Sequence, residues 1–434
     1  MKKIKVYGVF LFFLFLVLTG CGKNQVPVED YIRTNPATSG MNPIMKSDTG
    51  YYYCTTEYGD MSLHYYDVAS GQNIYLCSKP ECRHDGNAFC TATSEKYDVN
   101  SVYFYGGSLY LSVLETTDTE FLFKLLRVSA DGSELTEVVT YLTLNKTSLR
   151  ALIGGEEMMI HRGVAVLPYT LISIDGTIVA GDIAGVTGVC LYDLATGELT
   201  QLPELEYSTY NPGRTRFTGY GDYIYFHTRI NRKNTLARYC LSDGTVEELG
   251  LKSTFNGKYE VIDEDTIYYS YTGDYLFEYN ISTKENTQHD SVFVTTQEYW
   301  NPVFKEYVEK KASYTCTDMV SDGTYLYVGD AVSFHGTGKG NQGSIVYSDG
   351  TEEKIQSYVH VLDRDLNEVV KVEIGTEPYL GYEEYFSLAI LDDMVYLQTK
   401  PAVFICPLEK FLKGGQPPFE LLYDHADVEY LKYK

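Results

Sequence analysis

An all-β fold built from repeated antiparallel units is what this sequence predicts, and three observations predict it. A turn pair, one or two further residues and a short apolar, aromatic strand recur at 48–54, 106–112, 155–161, 221–227, 264–270, 322–328 and 392–398. Each copy is followed by an alternating strand, a polar turn and another strand, as in LHYYDVASGQNIYL, VCLYDLATGELTQL and ARYCLSDGTVEEL. Beyond residue 20 there is no long amphipathic helical run, which removes helical solenoids and α/β folds from contention.

Each unit is a hairpin generator. Gly, Asp and Asn supply the turn conformations, while Val, Tyr, Leu and Thr fill the pleat, so every unit carries at least three antiparallel strands. A single unit cannot bury both faces of its strands, and units recurring at this spacing pack sheet on sheet around an axis. The expected architecture is a seven-bladed β-propeller over residues 46–434. Six and eight blades are the neighbouring counts, because the third and seventh units match the motif poorly. A parallel β-helix ranks second, since it calls for shorter, more even rungs and fewer hairpins.

The chain begins with MKKIK, followed by a thirteen-residue apolar run from Val6 to Leu18 and the sequence Leu18-Thr19-Gly20-Cys21. An apolar stretch this short falls below the ~20 residues of a permanent membrane span and reads as an export signal. Leu18-Thr19-Gly20-Cys21 resembles the lipobox of bacterial lipoproteins. The resemblance implies a signal peptide over 1–20 that is cut before Cys21, and a diacylglyceryl group on that thiol. The protein is then expected on the cell membrane, lipid-anchored on the extracytoplasmic face. Residues 21–45, polar and rich in proline, read as the lipidated cysteine and a flexible spacer.

Without residues 1–20 the chain keeps 32 Lys+Arg against 59 Asp+Glu, a net charge of about −27. That balance argues against nucleic acid and anionic headgroups as partners and leaves anchoring to the acyl chains. The repeats GDYIYF and LYDLATGEL, together with the lipobox, resemble the tyrosine-rich propeller lipoproteins exported by gut-type Firmicutes. Repeats of this kind specify a fold and leave the activity open.

Reactive side chains concentrate in one segment, LCSKPECRHDGNAFC, which holds Cys77, Cys82, His84 and Cys90. Three thiolates and an imidazole form a tetrahedral zinc set, and the Pro, Asp, Gly and Asn between them let a loop wrap one ion. The competing reading in an oxidising exterior is a disulfide between two of these cysteines, with Cys54 pairing the third. Only Arg83 separates Cys82 from His84, which disfavours covalent haem. With four ligands closing the shell, a metal here would be structural. Cys190, Cys240, Cys316 and Cys406 each sit singly in strand patterns and read as buried packing residues.

Other signals fail on context. Gly338, Gly340 and Gly343 match G-x-G-x-x-G but precede no helix. Asp363, Asp365 and Asn367 imitate a calcium loop, but Glu368 stands where glycine is required, so a hairpin turn is expected. His161 and His227 end equivalent motif copies and are expected at one rim, and the acids preceding the motif strands are expected as turn formers. The composite expectation is a tethered binding or scaffold module for a glycan, peptide or protein. The alternatives are a carbohydrate- or peptide-active enzyme using the funnel, and a sensor accessory whose cysteine loop responds to metal or redox state.

Overall fold

The recurring turn motif marks the joint between the first and second strands of a four-stranded sheet. The computed structural model describes residues 33–34, 44–47, 49–57, 60–84, 90–94, 96–146, 149–151, 158–173, 185–208, 217–230, 233–251, 255–271, 275–289, 295–301, 306–312, 314–332, 344–346, 352–354, 357–374, 386–391, 393–398 and 402–424.

After β1 (Arg33–Thr34), blade 1 comprises β2 (Ile44–Lys46), β3 (Gly50–Glu57), β4 (Asp60–Asp67) and β5 (Gln72–Tyr75), with β6 (Thr93–Ser94) also on β4. Blade 2 is β7 (Tyr97–Tyr105), β8 (Ser108–Thr116), β9 (Glu120–Ser129) and β10 (Leu135–Asn145). Blade 3 has a divided first strand, β11 (Leu149–Ala151) and β12 (Met159–His161), both on β13 (Val164–Ser173), then β14 (Gly185–Asp193) and β15 (Leu199–Ser208). Blade 4 is β16 (Phe217–Tyr220), β17 (Tyr223–Ile230), β18 (Lys233–Cys240) and β19 (Val246–Leu249). Blade 5 is β20 (Phe255–Val261), β21 (Thr266–Tyr271), β22 (Tyr275–Asn280) and β23 (Glu285–His289).

A hairpin of β24 (Thr295–Asn301) and β25 (Glu306–Ala312) precedes blade 6. That blade starts with β26 (Tyr314–Ser321) and β27 (Leu326–Val332), carries a second hairpin of β28 (Ser344–Val346) and β29 (Glu352–Lys354), and ends with β30 (Ser357–Leu362) and β31 (Glu368–Ile374). Blade 7 is β32 (Ser387–Leu391), β33 (Met394–Gln398), β34 (Ala402–Pro407) and β35 (Glu420–Asp424), with the one-turn helix α1 (Leu408–Phe411) before its last strand. The protein is a seven-bladed β-propeller.

First strands form the inner ring. Going round, β2 touches β7, β7 touches β12, β12 touches β16, and β16, β20, β26 and β32 follow in turn. Second strands such as β8 are almost wholly buried, whereas the fourth strands β5, β19 and β23 are largely exposed. Except in blade 3, the sequence repeat therefore captures strands two to four of each blade, and the first strand, which precedes the turn, carries no signature of its own.

The tyrosine content has a packing reason. Among the described residues, the largest fully buried side chains are nine tyrosines and three phenylalanines. A phenol fills the wedge between blades and still carries a hydroxyl that can satisfy a neighbour's backbone. Tyr52 donates to Ala130 O in blade 2 at 3.1 Å, Tyr259 in blade 5 to Tyr225 O in blade 4 at 3.1 Å, and Tyr268 to Arg364 O in blade 6 at 2.5 Å. The other junctions use different groups. Met158 N donates to Ser101 Oγ at 3.0 Å between blades 2 and 3, and His161 Nε2 lies 2.8 Å from Gly221 O between blades 3 and 4. Leu388 N donates to Asp318 Oδ2 at 2.8 Å between blades 6 and 7, and Tyr396 meets Tyr51 between blades 7 and 1. Each junction thus buries apolar surface and spans it with a polar latch.

Two expectations change. The third motif copy lies one strand out of phase: Met159–His161 is the inner strand β12, and the turn equivalent to the other copies is Arg162–Gly163. For that reason His161 and His227 do not share a rim, His161 being on an inner strand and His227 on the second strand of blade 4. Residues 33–34, inside the segment read as a flexible spacer, form β1 on the free edge of β16. Cys21 and the signal segment lie outside the described residues, as does the glycine-rich stretch at 336–343.

Candidate metal centre

The site is an excursion from the outer strand of blade 1. On β4, His64 pairs with Tyr75 and Leu76 N donates to Leu63 O at 2.9 Å. Pairing then resumes with Thr93 opposite Ser62 and Ser94 opposite Met61. Residues 77–92 therefore leave and rejoin one strand without disturbing its register, which puts Cys77 and Cys90 together at the neck of the loop.

Neighbouring groups clamp that neck. Thr91 Oγ1 lies 3.1 Å from Leu76 O and 2.6 Å from Gly132 O, tying the loop to the β9–β10 turn of blade 2. Gly132 has φ +67°, and a Cβ there would come within 2.5 Å of Leu76 O, so the contact requires glycine. Inside the loop, Cys82 N donates to Lys79 O at 3.1 Å. His84 takes a left-handed backbone, φ 55°, uncommon for a non-glycine residue and typical of positions fixed by their surroundings.

A row of rings sets the His84 imidazole. Tyr53 stacks on His64 at 5.0 Å, His64 lies 4.6 Å from Tyr75, and Tyr75 stacks on His84 at 4.6 Å. His84 Nδ1 then faces Cys90 Sγ at 3.5 Å. All four candidate ligand atoms, from Cys77, Cys82, His84 and Cys90, lie within 4.8 Å of one another. Three soft sulfurs and one imidazole converging on a point are a donor set for a single tetrahedral ion.

Electrostatics at the cluster divide the thiols. Burial raises the Cys77 thiol, but hydrogen bonds from Thr91, the Lys79 backbone and Cys82 outweigh it and bring the group down to about 7. Burial and the neighbouring sulfurs push Cys82 up to about 11. Thr93 N donates to Cys90 Sγ at 3.3 Å, which fixes the sulfur at the neck of the loop. A cation at the centre would remove the penalty of holding three thiolates together.

The four residues singled out in the sequence are thus brought together. Cys77, Cys82 and Cys90 are free thiols. Cys54 lies in β3 opposite Leu63, and its side chain is outside the described residues. Cys190, Cys240, Cys316 and Cys406 are buried in separate blades. What the sequence did not disclose is the support: Tyr75, Thr91 and Gly132 became visible only once the outer strand's register was known. Of the acids before the motif strands, Asp322 is a turn former, accepting from Thr324 N at 2.7 Å and Tyr325 N at 2.8 Å, while Glu156 and Asp392 lie outside the described residues. Asp363 likewise accepts from Asp365 N and Asn367 N in a hairpin turn.

No protein family and no curated protein matches this chain. Among solved structures it is similar to BamB from Moraxella catarrhalis, at 11% identity and TM-score 0.39, over 86% of this chain and 97% of that one. It is also similar to an acylaminoacyl peptidase from Pyrococcus horikoshii, at 10% identity and TM-score 0.46, over 92% of this chain and 54% of that one. A puromycin-hydrolysing peptidase from Mycobacterium tuberculosis follows at 11% identity and TM-score 0.43, over 89% and 53%. The chain spans about half the length of these two peptidases. Among the described residues, no helix is long and apolar enough to cross a membrane.

Proposed function

We propose that this chain is a lipid-anchored, extracytoplasmic scaffold that presents a rigid propeller to a glycan, peptide or protein partner and is stapled on its flank by zinc. The observation that carries the reading is the placement of the Cys77–Cys82–His84–Cys90 centre. It sits on an outer strand, clamped between blades 1 and 2, where four protein ligands would complete a zinc shell and leave no open position for a substrate. Metal there serves the ring, and the ring serves binding.

Cys21 would supply the anchor. Two acyl chains suffice for stable attachment without a basic patch, which so acidic a chain does not offer. The exported, reduced thiols are compatible with zinc, which keeps each sulfur as a bound thiolate.

The test is metal analysis of residues 22–434 purified under reducing conditions, beside His84→Ala and a membrane-fractionation comparison of full-length protein with Cys21→Ser. Near-stoichiometric zinc that disappears in His84→Ala, and release of Cys21→Ser from the membrane fraction, are the expected results. A pH-dependent hydrolytic rate on purified wall glycans or peptides, retained by the zinc-free variant, would overturn the scaffold reading in favour of an enzyme.

A further inference from the structure

The three thiols of the candidate metal centre are not equivalent toward solvent. Cys77 and Cys82 are half-buried, and the residues around them, 78–81 and Arg83, are exposed. Cys90 is buried, held by Thr93 N and facing His84 Nδ1 at 3.5 Å. The four donors therefore divide into an outer pair of sulfurs and an inner pair of sulfur and imidazole. Cys190, Cys240, Cys316 and Cys406, by contrast, are buried one to a blade in blades 3, 4, 6 and 7.

The outer pair is joined to the clamp between blades 1 and 2. Cys77 follows Leu76 and Cys90 precedes Thr91, and Thr91 Oγ1 donates to Leu76 O at 3.1 Å. The same hydroxyl lies 2.6 Å from Gly132 O, to which Ser78 N donates at 3.4 Å. Thr91 also hydrogen-bonds the Cys77 sulfur. An ion ligated by both Cys77 and Cys90 draws the two ends of the neck together and so holds Leu76 and Thr91 against the β9–β10 turn. Taking Cys77 out of the shell removes that tie.

We infer that Cys77 and Cys82 form an oxidant-modified site, at which a peroxide converts the two thiolates into a disulfide, releases zinc and frees the neck from blade 2. The inference rests on the zinc reading given above. Three thiolates around a dication leave the centre with a net negative charge, so its sulfurs stay electron-rich, and the two that reach solvent meet the oxidant first. One thiolate attacks the peroxide O–O bond: an S–O bond forms, hydroxide leaves and the sulfur becomes a sulfenic acid. The second thiolate attacks that sulfur, the S–S bond forms and the sulfenic oxygen leaves as hydroxide. Two electrons pass from the sulfurs to the peroxide, whose oxygens end as two waters once two protons are taken up. All four donor atoms lie within 4.8 Å of one another, so the step needs side-chain rotation and no change in strand register. His84 and Cys90 then remain, two short of the four ligands a structural zinc site uses. A thiol reductant together with zinc restores the starting centre.

For the test, full-length protein solubilised in detergent is reduced, loaded with zinc and treated with hydrogen peroxide beside an untreated sample. Zinc is read with a chromogenic chelator, and disulfides by peptide mass mapping without reduction. The expected result is one zinc released per chain, a Cys77–Cys82 disulfide, and return of the zinc-bound form on adding thiol reductant and zinc. Zinc retained at excess peroxide, or a disulfide containing Cys90 or Cys54 in place of the expected one, would overturn the inference.

Amide exchange reads the clamp. Residues 76–78, 91–93 and 129–134 should exchange about tenfold faster after oxidation, while β21 and β22 in blade 5 stay unchanged. Equal exchange with the disulfide formed would overturn the coupling to blade 2. Failure of the zinc reading is distinguishable, because the reduced, zinc-treated protein then holds no metal before any peroxide is added. The disulfide map of that metal-free protein still decides whether Cys77 pairs with Cys82.

Discussion

Tyr396 and Tyr51 close the ring: the hydroxyl of one donates to that of the other at 2.6 Å across 345 positions of the chain, with the rings edge-on at 5.4 Å. Among the described residues, blade 1 is built from N-terminal strands and blade 7 from C-terminal ones, and no strand is shared between them. Closure depends on side chains, in a cluster that also contains Tyr53, Val403 and Leu422.

Tyr396→Phe should therefore cost about 1–2 kcal/mol, the cost of stranding a buried hydroxyl, and Tyr396→Ala about 3–5 kcal/mol through the cavity it leaves. Urea denaturation gives the totals. Hydrogen exchange in the Phe variant should rise first in β3 and β33, and a uniform rise through all seven blades would show that closure is not local.

Blades 3 and 4 approach so closely that residue 219 has to be glycine. A Cβ on Gly219 would lie 2.3 Å from Cγ of His161, a buried ring with little room to move because its Nε2 is 2.8 Å from Gly221 O. Gly219→Ala is expected to destabilise by about 1–3 kcal/mol. In a His161→Ala background the same change should cost less, and a double-mutant cycle that returns additive losses would contradict the contact.

The fold was legible because its turns repeat. Motifs such as GDYIYF fix where a second strand begins, and the alternation after them fixes the hairpin of strands three and four. First strands were not legible: β12 and β16 are short, and each is specified by the neighbour it packs against rather than by its own pattern. This is also why the third copy was assigned to the wrong strand. At the candidate metal centre the four candidate ligands were legible from composition and spacing, while Thr91 and Gly132 were not, since their role depends on register between blades. β1 could not be read at all, because two residues of backbone pairing leave no trace in composition.

The proposed zinc staple at the neck of 77–92 gives an asymmetric prediction. With zinc bound, His84→Ala should lower stability by about 2–3 kcal/mol, the linkage expected for a site filled well above its dissociation constant. After exhaustive chelation, wild type and variant should melt together. A difference that persists in chelator would assign His84 to packing against Tyr75 alone.

His227 makes stability fall in mild acid. Its Nε2 is enclosed, and burial pushes the imidazole from 6.5 down to about 4. The unfolded chain takes up this proton near pH 6.5 and the folded one only near pH 4, so the unfolded state binds more protons between those values. The contribution of neutral His227 is complete above about pH 6.5 and is lost as pH falls toward 4, amounting to about 3 kcal/mol over the window. Carboxylates held low act further down: hydrogen bonds from Ser133 and Ser129 keep Asp131 at about 2, below the window. Urea midpoints at pH 7.5, 6, 5 and 4.5 should decline for the wild type and decline less for His227→Gln. Parallel pH profiles for the two proteins would mean that the histidine takes up its proton in the folded state, and that the enclosure of its ring is looser than the packing of blade 4 indicates.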